Sequence, residues 1–234
     1  QFESLDFQYE KCTGIRSYKP VPTLEQTSID EAAALINSAK KPFIVWGQGV
    51  ILGNAEDAFK AFIEKSGIPA AWTILGLSAL PTSHPLNMGM VGMHGNYAPN
   101  LLTNQCDVLI AIGMRFDDRV TGDLKTYAKQ AKIIHLELDP AEINKNVYAD
   151  VAVLADCRES LAALTQKIEP KTHTDWIQKF KALDAIEQEK VIQKDLHPTK
   201  AGLTMGEAVE MINKHSKGDA IIVTDVAVSY THLR

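Results

Sequence analysis

The chain has 234 residues, of which 45% are hydrophobic and 23% are charged, with a net charge of -5 at pH 7. This composition is typical of a globular protein, and no run approaches the roughly 18 consecutive apolar residues that a membrane span needs, so we expect a cytoplasmic protein that does not contact a membrane. The sequence has no basic runs, so we do not expect it to bind nucleic acid. Its cysteines are widely spaced and predict neither a disulfide framework nor a metal site. Small molecules are therefore the expected ligands.

The first predicted elements follow a polar, irregular segment. Residues 1–26 contain prolines close together and are typical of a linker between domains. The next segment predicts a helix that starts with a capping box formed by Ser28 and Glu31. PFIVWGQGV then predicts a buried strand, and NAEDAFKAFIEKSG predicts a helix capped by Asn54 and ended by Gly67.

The alternation of strand and helix continues to residue 168. IPAAW, DVLIAIG, KIIHLEL and VAVLA predict further strands, with a long irregular section after the first of them and a short helix near APNLLTNQ. DCRESLAALTQKI predicts a closing helix that begins at Asp156. This order predicts an α/β domain over residues 27–168, a doubly wound parallel sheet with helices on both faces.

A second unit is predicted after this domain. Residues 169–198 are interpreted as a helical linker. Thr204 and Glu207 predict a capping box, and the following AIIVTD predicts a strand, so residues 199–226 are interpreted as the start of another α/β domain. The final segment, 227–234, is not expected to be native.

Ligands of parallel sheets bind beyond the carboxyl ends of the strands, so the residues that follow each strand are the candidate site. Gly47 and Gly49 follow the first strand, where glycines either let the backbone approach a nucleotide or serve a tight turn alone. Glu137 and Asp139 end KIIHLEL, where a carboxylate either accepts hydrogen bonds from ribose hydroxyls or is simply solvated.

The residues after DVLIAIG form the densest charge cluster of the domain. Arg115 is suited to hold a phosphate, with Asp117 or Asp118 to orient it, although a purely structural ion-pair network fits as well. The loop GMVGMHG places Met93 and His94 between glycines, where they can press against a flat ring system. The residues alone therefore predict a dinucleotide-type site, with no catalytic residue and no reaction assigned.

The stretches GMHGNYAPN, IGMRFDDRVTG and HLELDPAEINKN, in this order and spacing, closely resemble the large subunits of the acetolactate synthase (acetohydroxyacid synthase) family. The resemblance covers roughly residues 10–226. It implies a thiamine-diphosphate-dependent enzyme with Mg²⁺ and with FAD in its middle domain, where the flavin has a structural part. The implied reaction condenses two pyruvates, or pyruvate with 2-oxobutyrate, with loss of carbon dioxide, on the path to branched-chain amino acids.

The resemblance also implies which residues contact the flavin and which border the substrate channel. The implied channel residues are Met93, His94, Asp118 and Arg119. The implied FAD contacts are Arg16, Gly47, Gly49, Thr73, Ile74, Gly92, Met93, His94, Gly95, Gly113, Met114, Arg115, Phe116, Asp117, Glu137, Leu138, Asp156 and Cys157. The family commonly has an aspartate where this chain has Glu137, which keeps the acceptor and lengthens its reach.

The resemblance implies a fragment of a longer enzyme. The family's catalytic glutamate and its magnesium and diphosphate ligands fall outside this sequence, so we expect the chain to bind FAD without catalysing the reaction. The implied parent is a homodimer or homotetramer that acts on 2-oxo acids, and a regulatory small subunit is a candidate partner. Alternatives are another thiamine-diphosphate carboligase or decarboxylase and, from a different class, a stand-alone NAD- or FAD-binding module.

Overall fold

A computed structural model describes residues 6, 8–11, 14, 19–199, 202–217 and 219–220. Its centre is a 6-stranded parallel sheet in the order β3-β2-β1-β4-β5-β6. The strands are β1 (Pro42–Trp46), β2 (Ala70–Trp72), β3 (Asn87–Met90), β4 (Val108–Ile112), β5 (Lys132–Glu137) and β6 (Val151–Leu154). The predicted doubly wound parallel sheet is confirmed.

Helices cover both faces of the sheet. They are α1 (Gln26–Ser38), α2 (Gly49–Leu52), α3 (Glu56–Ser66), α4 (Tyr97–Thr103), α5 (Asp118–Thr121), α6 (Cys157–Lys167), α7 (Thr174–Glu187), α8 (Gln193–Leu196) and α9 (Met205–Ser216), with a 3-10 turn at Ile74–Gly76 and a π-helical turn at Gln188–Ile192. Among the residues described, no helix combines the length and the hydrophobicity needed to cross a membrane.

Alternating side chains of the strands divide the core into two clusters. In β1, Ile44 and Trp46 point into the cluster covered by α1, α3 and α6. Phe43 and Val45 point into the other cluster, which is covered by α4 and α7 and is called the second core cluster below. Because both faces are buried, the central strands are apolar throughout, as parallel strands with helices on both sides require.

The strand order reverses between β1 and β4, which are neighbours in the sheet. Their register pairs Trp46 with Ile112, so both strands end at the same level. The chain leaves β1 toward β2 on one side and leaves β4 toward β5 on the other. The two connections therefore diverge and open a crevice between them, which is where open α/β sheets bind ligands.

Two predicted helix caps are wrong. Helix α1 already begins at Gln26, and Ser28 Oγ donates to the Glu25 carbonyl (2.8 Å) instead of capping. A serine within the first turn bonds back to a carbonyl in this way, so no capping box with Glu31 forms. Asn54 lies between α2 and α3 with φ 47°, and the residue that precedes α3 is Ala55.

The other predicted helix ends agree with the structure. Gly67 ends α3 with φ 62°, and Asp156 caps α6 by accepting from the amides of Arg158 and Glu159. Thr204 and Glu207 form the predicted capping box of α9. The predicted strand AIIVTD falls, apart from its first residue, outside the described residues, and so does the segment 227–234.

Two features differ in detail from the sequence prediction. The section predicted as irregular contains β3, a short edge strand whose glycine and asparagine have low strand propensity. Within 169–198, the predicted helical linker, helix α7 buries Trp176 and Phe180 in the second core cluster. Trp176 Nε1 donates to the Pro42 carbonyl (2.9 Å), which attaches α7 to the start of β1.

Candidate functional site

The turns after β1 and β4 touch each other directly. The Gly47 amide donates to the Ile112 carbonyl (3.0 Å), and the Gly49 amide donates to the Gly113 carbonyl (2.9 Å). A Cβ on Gly49 would lie 2.6 Å from the Gly113 Cα, and Gly113 itself has φ 54°. Contact between two backbones therefore requires these glycines even without a ligand, which supports the tight-turn interpretation.

A cleft of about 380 Å³ opens beside these turns at the carboxyl ends of β1, β2, β4 and β5. It brings together predicted site residues from four separate connections of the chain. These are Gly47, Gly49, Thr73, Ile74, Gly113, Met114, Arg115, Asp117, Arg119 and Glu137. The cleft is also lined by residues that the sequence analysis did not single out, namely Gln48, Leu52, Leu75 and Val120. Their only sequence signal is their position shortly after a strand.

Charged side chains at the cleft are largely in solvent. Arg115 Nη2 lies 2.9 Å from Asp117 Oδ2, and the Arg115 side chain is 61% exposed. Arg119 Nε lies 3.6 Å from Asp118 Oδ2, with both side chains well exposed. Such pairs contribute little to stability because water screens them. Both guanidinium groups therefore keep donors available to an anionic ligand.

Glu137 lines the cleft, and the backbone amides that follow it hold its carboxylate. Its Oε1 accepts hydrogen bonds from the amides of Leu138 (2.8 Å) and Asp139 (3.2 Å), which fixes the carboxylate at the end of β5. Asp139 instead accepts from the Ala141 amide (2.9 Å) and so stabilises the following turn. Of these two acids, Glu137 is the one that lines the cleft.

The loop that carries Met93 and His94 is docked on α5. The Met93 amide donates to the Arg119 carbonyl (2.8 Å). Asn100 clamps Gly92 by accepting from its amide (2.8 Å) and donating to its carbonyl (2.9 Å). Gly92 has φ 107°, and a Cβ there would lie 2.7 Å from the Arg119 carbonyl. Asn100 was not among the residues predicted from the sequence, although it follows the loop by only a few residues.

Two further pockets adjoin the cleft. The first, of about 250 Å³, is lined by Met93 and His94 and shares Ile74, Leu75 and Arg119 with the cleft, so the two adjoin, and we call them together the groove. The second, of about 330 Å³, is also lined by Arg119 and contains Gly92 and Asp118. Arg119 and Val120 line all three spaces.

The remaining predicted site residues that the structure describes do not line these spaces. Phe116 is buried in the second core cluster, and Leu138 is exposed beyond the end of β5. Gly95 packs under its loop, where a Cβ would lie 2.5 Å from the Met90 carbonyl. Arg16 lies outside the described residues.

Asp156 and Cys157 lie at the start of α6, where Asp156 serves as the helix cap. Burial is the main cause that raises the pKa of the Cys157 thiol to about 12, so this cysteine is uncharged near neutral pH. Within the described part of the chain, no group of three histidine, cysteine or acidic side chains is placed to hold a metal ion.

Residues 29–164 match the family profile described as thiamine pyrophosphate enzyme, central domain. The chain belongs to this family. The match to the thiamine pyrophosphate enzyme central domain starts within α1 and ends within α6, so it covers the whole sheet and both connections at the crevice.

Several relatives of the chain are named acetolactate synthase, the family that the sequence motifs resemble. The chain is 43% identical to the acetolactate synthase large subunit of Corynebacterium glutamicum over 79% of the chain and 30% of the relative. It is 40% identical to a probable acetolactate synthase large subunit of Methanocaldococcus jannaschii, over 89% of the chain and 36% of the relative. It is 30% identical to the acetolactate synthase isozyme 3 large subunit of Escherichia coli K12, over 95% of the chain and 39% of the relative.

The resemblance to acetolactate synthase large subunits is thereby confirmed. The chain spans about a third of the length of these relatives.

Proposed function

We propose that this chain is the FAD-binding middle domain of an acetolactate synthase large subunit. The observation that carries the proposal is the groove at the crevice between the turns after β1 and β4, whose two adjoining pockets are lined by Glu137 and Arg115 and by Met93 and His94. Adjoining pockets at this crevice suit a dinucleotide, because open α/β sheets bind dinucleotides there.

The residues of the groove match the parts of a flavin dinucleotide. Arg115 presents several N–H donors for the diphosphate. Glu137 keeps its Oε2 available as an acceptor for ribose hydroxyls, since both backbone amides bond to Oε1. A bound flavin supplies a rigid, flat ring system, and ring burial is favourable here because apolar side chains would otherwise remain in water.

Those apolar side chains lie at the far end of the groove. Ile74, Leu75 and Met93 are all exposed, and all line the pocket that continues from the cleft. Exposed large apolar residues that share one pocket mark a ligand surface more often than isolated ones do. His94 lines the same pocket, so the loop that holds it would border the ring.

For the parent protein we propose the thiamine-diphosphate- and Mg²⁺-dependent condensation of pyruvate with a second pyruvate or with 2-oxobutyrate. The thiamine pyrophosphate family match and the names of the relatives support this proposal. Within the chain, Arg119 and Asp118 line the pocket that also contains Gly92, and the Arg119 charge suits the carboxylate of a 2-oxo acid. We propose that the chain alone binds FAD without catalysing this reaction.

We also propose that the parent is a homodimer or homotetramer in the cytoplasm and pairs with a regulatory small subunit. Support for the small subunit comes from the names of the relatives, which are called large subunits. A competing function is an NAD-binding module, because the same strand order and glycine turn also occur in nicotinamide dinucleotide domains.

A titration of the folded chain with FAD and with NAD tests this function. We expect FAD to bind in preference to NAD, and Arg115→Ala to weaken FAD binding by about tenfold or more, since charge-assisted hydrogen bonds are worth roughly 1.5–3 kcal/mol. Lys179→Ala, which removes an exposed charge from α7, is the matched control and should not change the affinity. Calorimetry measures both, with circular dichroism to confirm folding.

Preference for NAD, or equal FAD affinity of the Arg115→Ala and Lys179→Ala variants, would contradict the proposed function.

A further inference from the structure

His135 lies in the sheet directly beneath the candidate site. It sits in β5, and its side chain is fully buried. In register it pairs with Ala111 of β4 on one side and with Ala152 of β6 on the other. Paired residues of neighbouring strands point to the same face, so small alanine side chains leave the space that the imidazole ring occupies.

One hydrogen bond determines which imidazole nitrogen carries the proton. His135 Nε2 lies 3.0 Å from the Met114 carbonyl oxygen. A carbonyl oxygen only accepts, so Nε2 must be the donor and the neutral ring must be the Nε2–H tautomer. Nδ1 is buried without a partner in the described part of the chain. Burial lowers the pKa of His135, since protonation would add a second N–H with no acceptor.

The accepting carbonyl belongs to the turn that presents Arg115. After Gly113 the chain leaves the sheet, and Met114 and Phe116 turn into the core while Arg115 faces the cleft. The Phe116 ring meets the His135 ring edge-on at 5.0 Å. His135 therefore contacts both neighbours of Arg115, through a hydrogen bond on one side and ring packing on the other.

His135 also lies beside the acid of the site. Glu137 follows it by two positions on the same strand, so both side chains are on the same face of the sheet. The distance between His135 Nε2 and Glu137 Oε2 is 3.8 Å. One buried ring thus lies against the turn that carries the cation and against the strand end that carries the carboxylate.

We propose that His135 is a positioning residue of the cofactor site, and that its Nε2–H, by holding the Met114 carbonyl, sets the spacing between Arg115 and Glu137. This inference rests on the proposed FAD site for its effect on binding. The hydrogen bond itself is independent of any ligand. The two parts can therefore be tested separately.

The binding part is tested by comparing His135→Gln with His135→Leu. A glutamine can place its amide N–H close to the position of Nε2, whereas a leucine fills similar space without a donor. We expect His135→Leu to weaken FAD binding by about tenfold, and His135→Gln to stay within about threefold of the wild type. Titration calorimetry on folded protein at one temperature gives each dissociation constant.

A control variant separates positioning from loss of stability. Ile134→Val changes the adjacent residue of the same strand, which is buried in the other core cluster. It should lower the melting temperature and leave the FAD affinity unchanged. If His135→Leu is equally neutral for affinity, or if His135→Gln loses as much affinity as His135→Leu, the proposed role is overturned.

The tautomer is tested without FAD by ¹⁵N-edited NMR of the histidine side chains. We expect a neutral Nε2–H form of His135 that persists to lower pH than the neutral form of an ordinary exposed histidine, because burial lowers the pKa of His135. A neutral Nδ1–H form would overturn the inference even if FAD binds. Absence of FAD binding by the wild type, together with the expected Nε2–H form, would instead contradict the proposed function while agreeing with the hydrogen bond to Met114.

Discussion

At the scale of single residues, the site is shaped by contacts that leave no room for a side chain. Gly49 and Gly113 are in backbone contact, and a Cβ on either would lie within 2.7 Å of the other residue's Cα. At Arg115 there is room for a long side chain, which lines the cleft while its two neighbours in sequence are buried. Backbone contact brings the turns together, and the side chains that follow them supply the chemistry.

The contact predicts that Gly49→Ala destabilises the fold. The added methyl group meets backbone atoms of Gly113 in the turn after β4, which cannot rotate away. We therefore expect a loss of about 1–3 kcal/mol in the free energy of unfolding. Urea denaturation followed by circular dichroism measures it. Gln48→Ala, an exposed neighbour in the same turn, should change it by less than about 0.5 kcal/mol. Equal stability of the two variants would show that the turns are not in contact.

At the scale of elements, helix starts depend on where the first turn forms. Asp156 Oδ1 accepts from the amides of Arg158 (2.9 Å) and Glu159 (3.3 Å), so it caps α6 as its sequence position predicts. Ser28 has an equally suitable residue type, yet it lies inside α1 and bonds to Glu25. Residue type alone does not determine a cap, because packing of the preceding residues moves the first turn.

These caps predict different effects of truncation to alanine. Asp156→Ala should lower the free energy of unfolding by about 0.5–2 kcal/mol because two amides at the start of α6 lose their acceptor. Ser28→Ala should lower it by less than about 0.5 kcal/mol. Thermal and urea unfolding of both variants provides the comparison. The reverse order would restore the sequence-based interpretation of Ser28 as the cap.

At the scale of the whole molecule, helix α7 completes the second face of the sheet. Its Phe180 ring lies 5.1 Å from the ring of Phe43 in β1 and 5.1 Å from that of Trp176. At the far end of α7, Glu187 Oε2 accepts from the Tyr97 amide (3.0 Å) at the start of α4. The helix therefore connects the middle of the sheet to the helix that follows the docked loop.

This packing predicts a large loss of stability for Phe180→Ala. Removal of a fully buried ring leaves a cavity between β1 and α7, and we expect the free energy of unfolding to fall by about 3–5 kcal/mol. Ile186→Ala, at a half-exposed position on the same helix, should cost about 1 kcal/mol or less. Chemical denaturation distinguishes them. A loss below 1 kcal/mol for Phe180→Ala would indicate that α7 does not pack on the sheet.

Local patterns explain which parts of the fold could be predicted from the sequence. Five strands appear as apolar runs because buried parallel strands are apolar on both faces, whereas β3, with Asn87 and Gly89, carries no such run. Cleft residues such as Gly47, Arg115 and Glu137 could be found because they end or directly follow a strand. His135 could not, since its partner Met114 is close to it only in the folded chain, and no local pattern marks Asn100 as the residue that holds Gly92.

By itself the sequence determined the parallel α/β architecture, the strand-end positions of the candidate site and the family, because these depend on periodicity and on short local motifs. Only the tertiary structure decided that α7 belongs to the core, that the glycines serve contact between two turns and that His135 lies beneath Arg115 and Glu137. The physical reason is that packing and hydrogen bonding depend on distances across the sheet, which strand order and register set together.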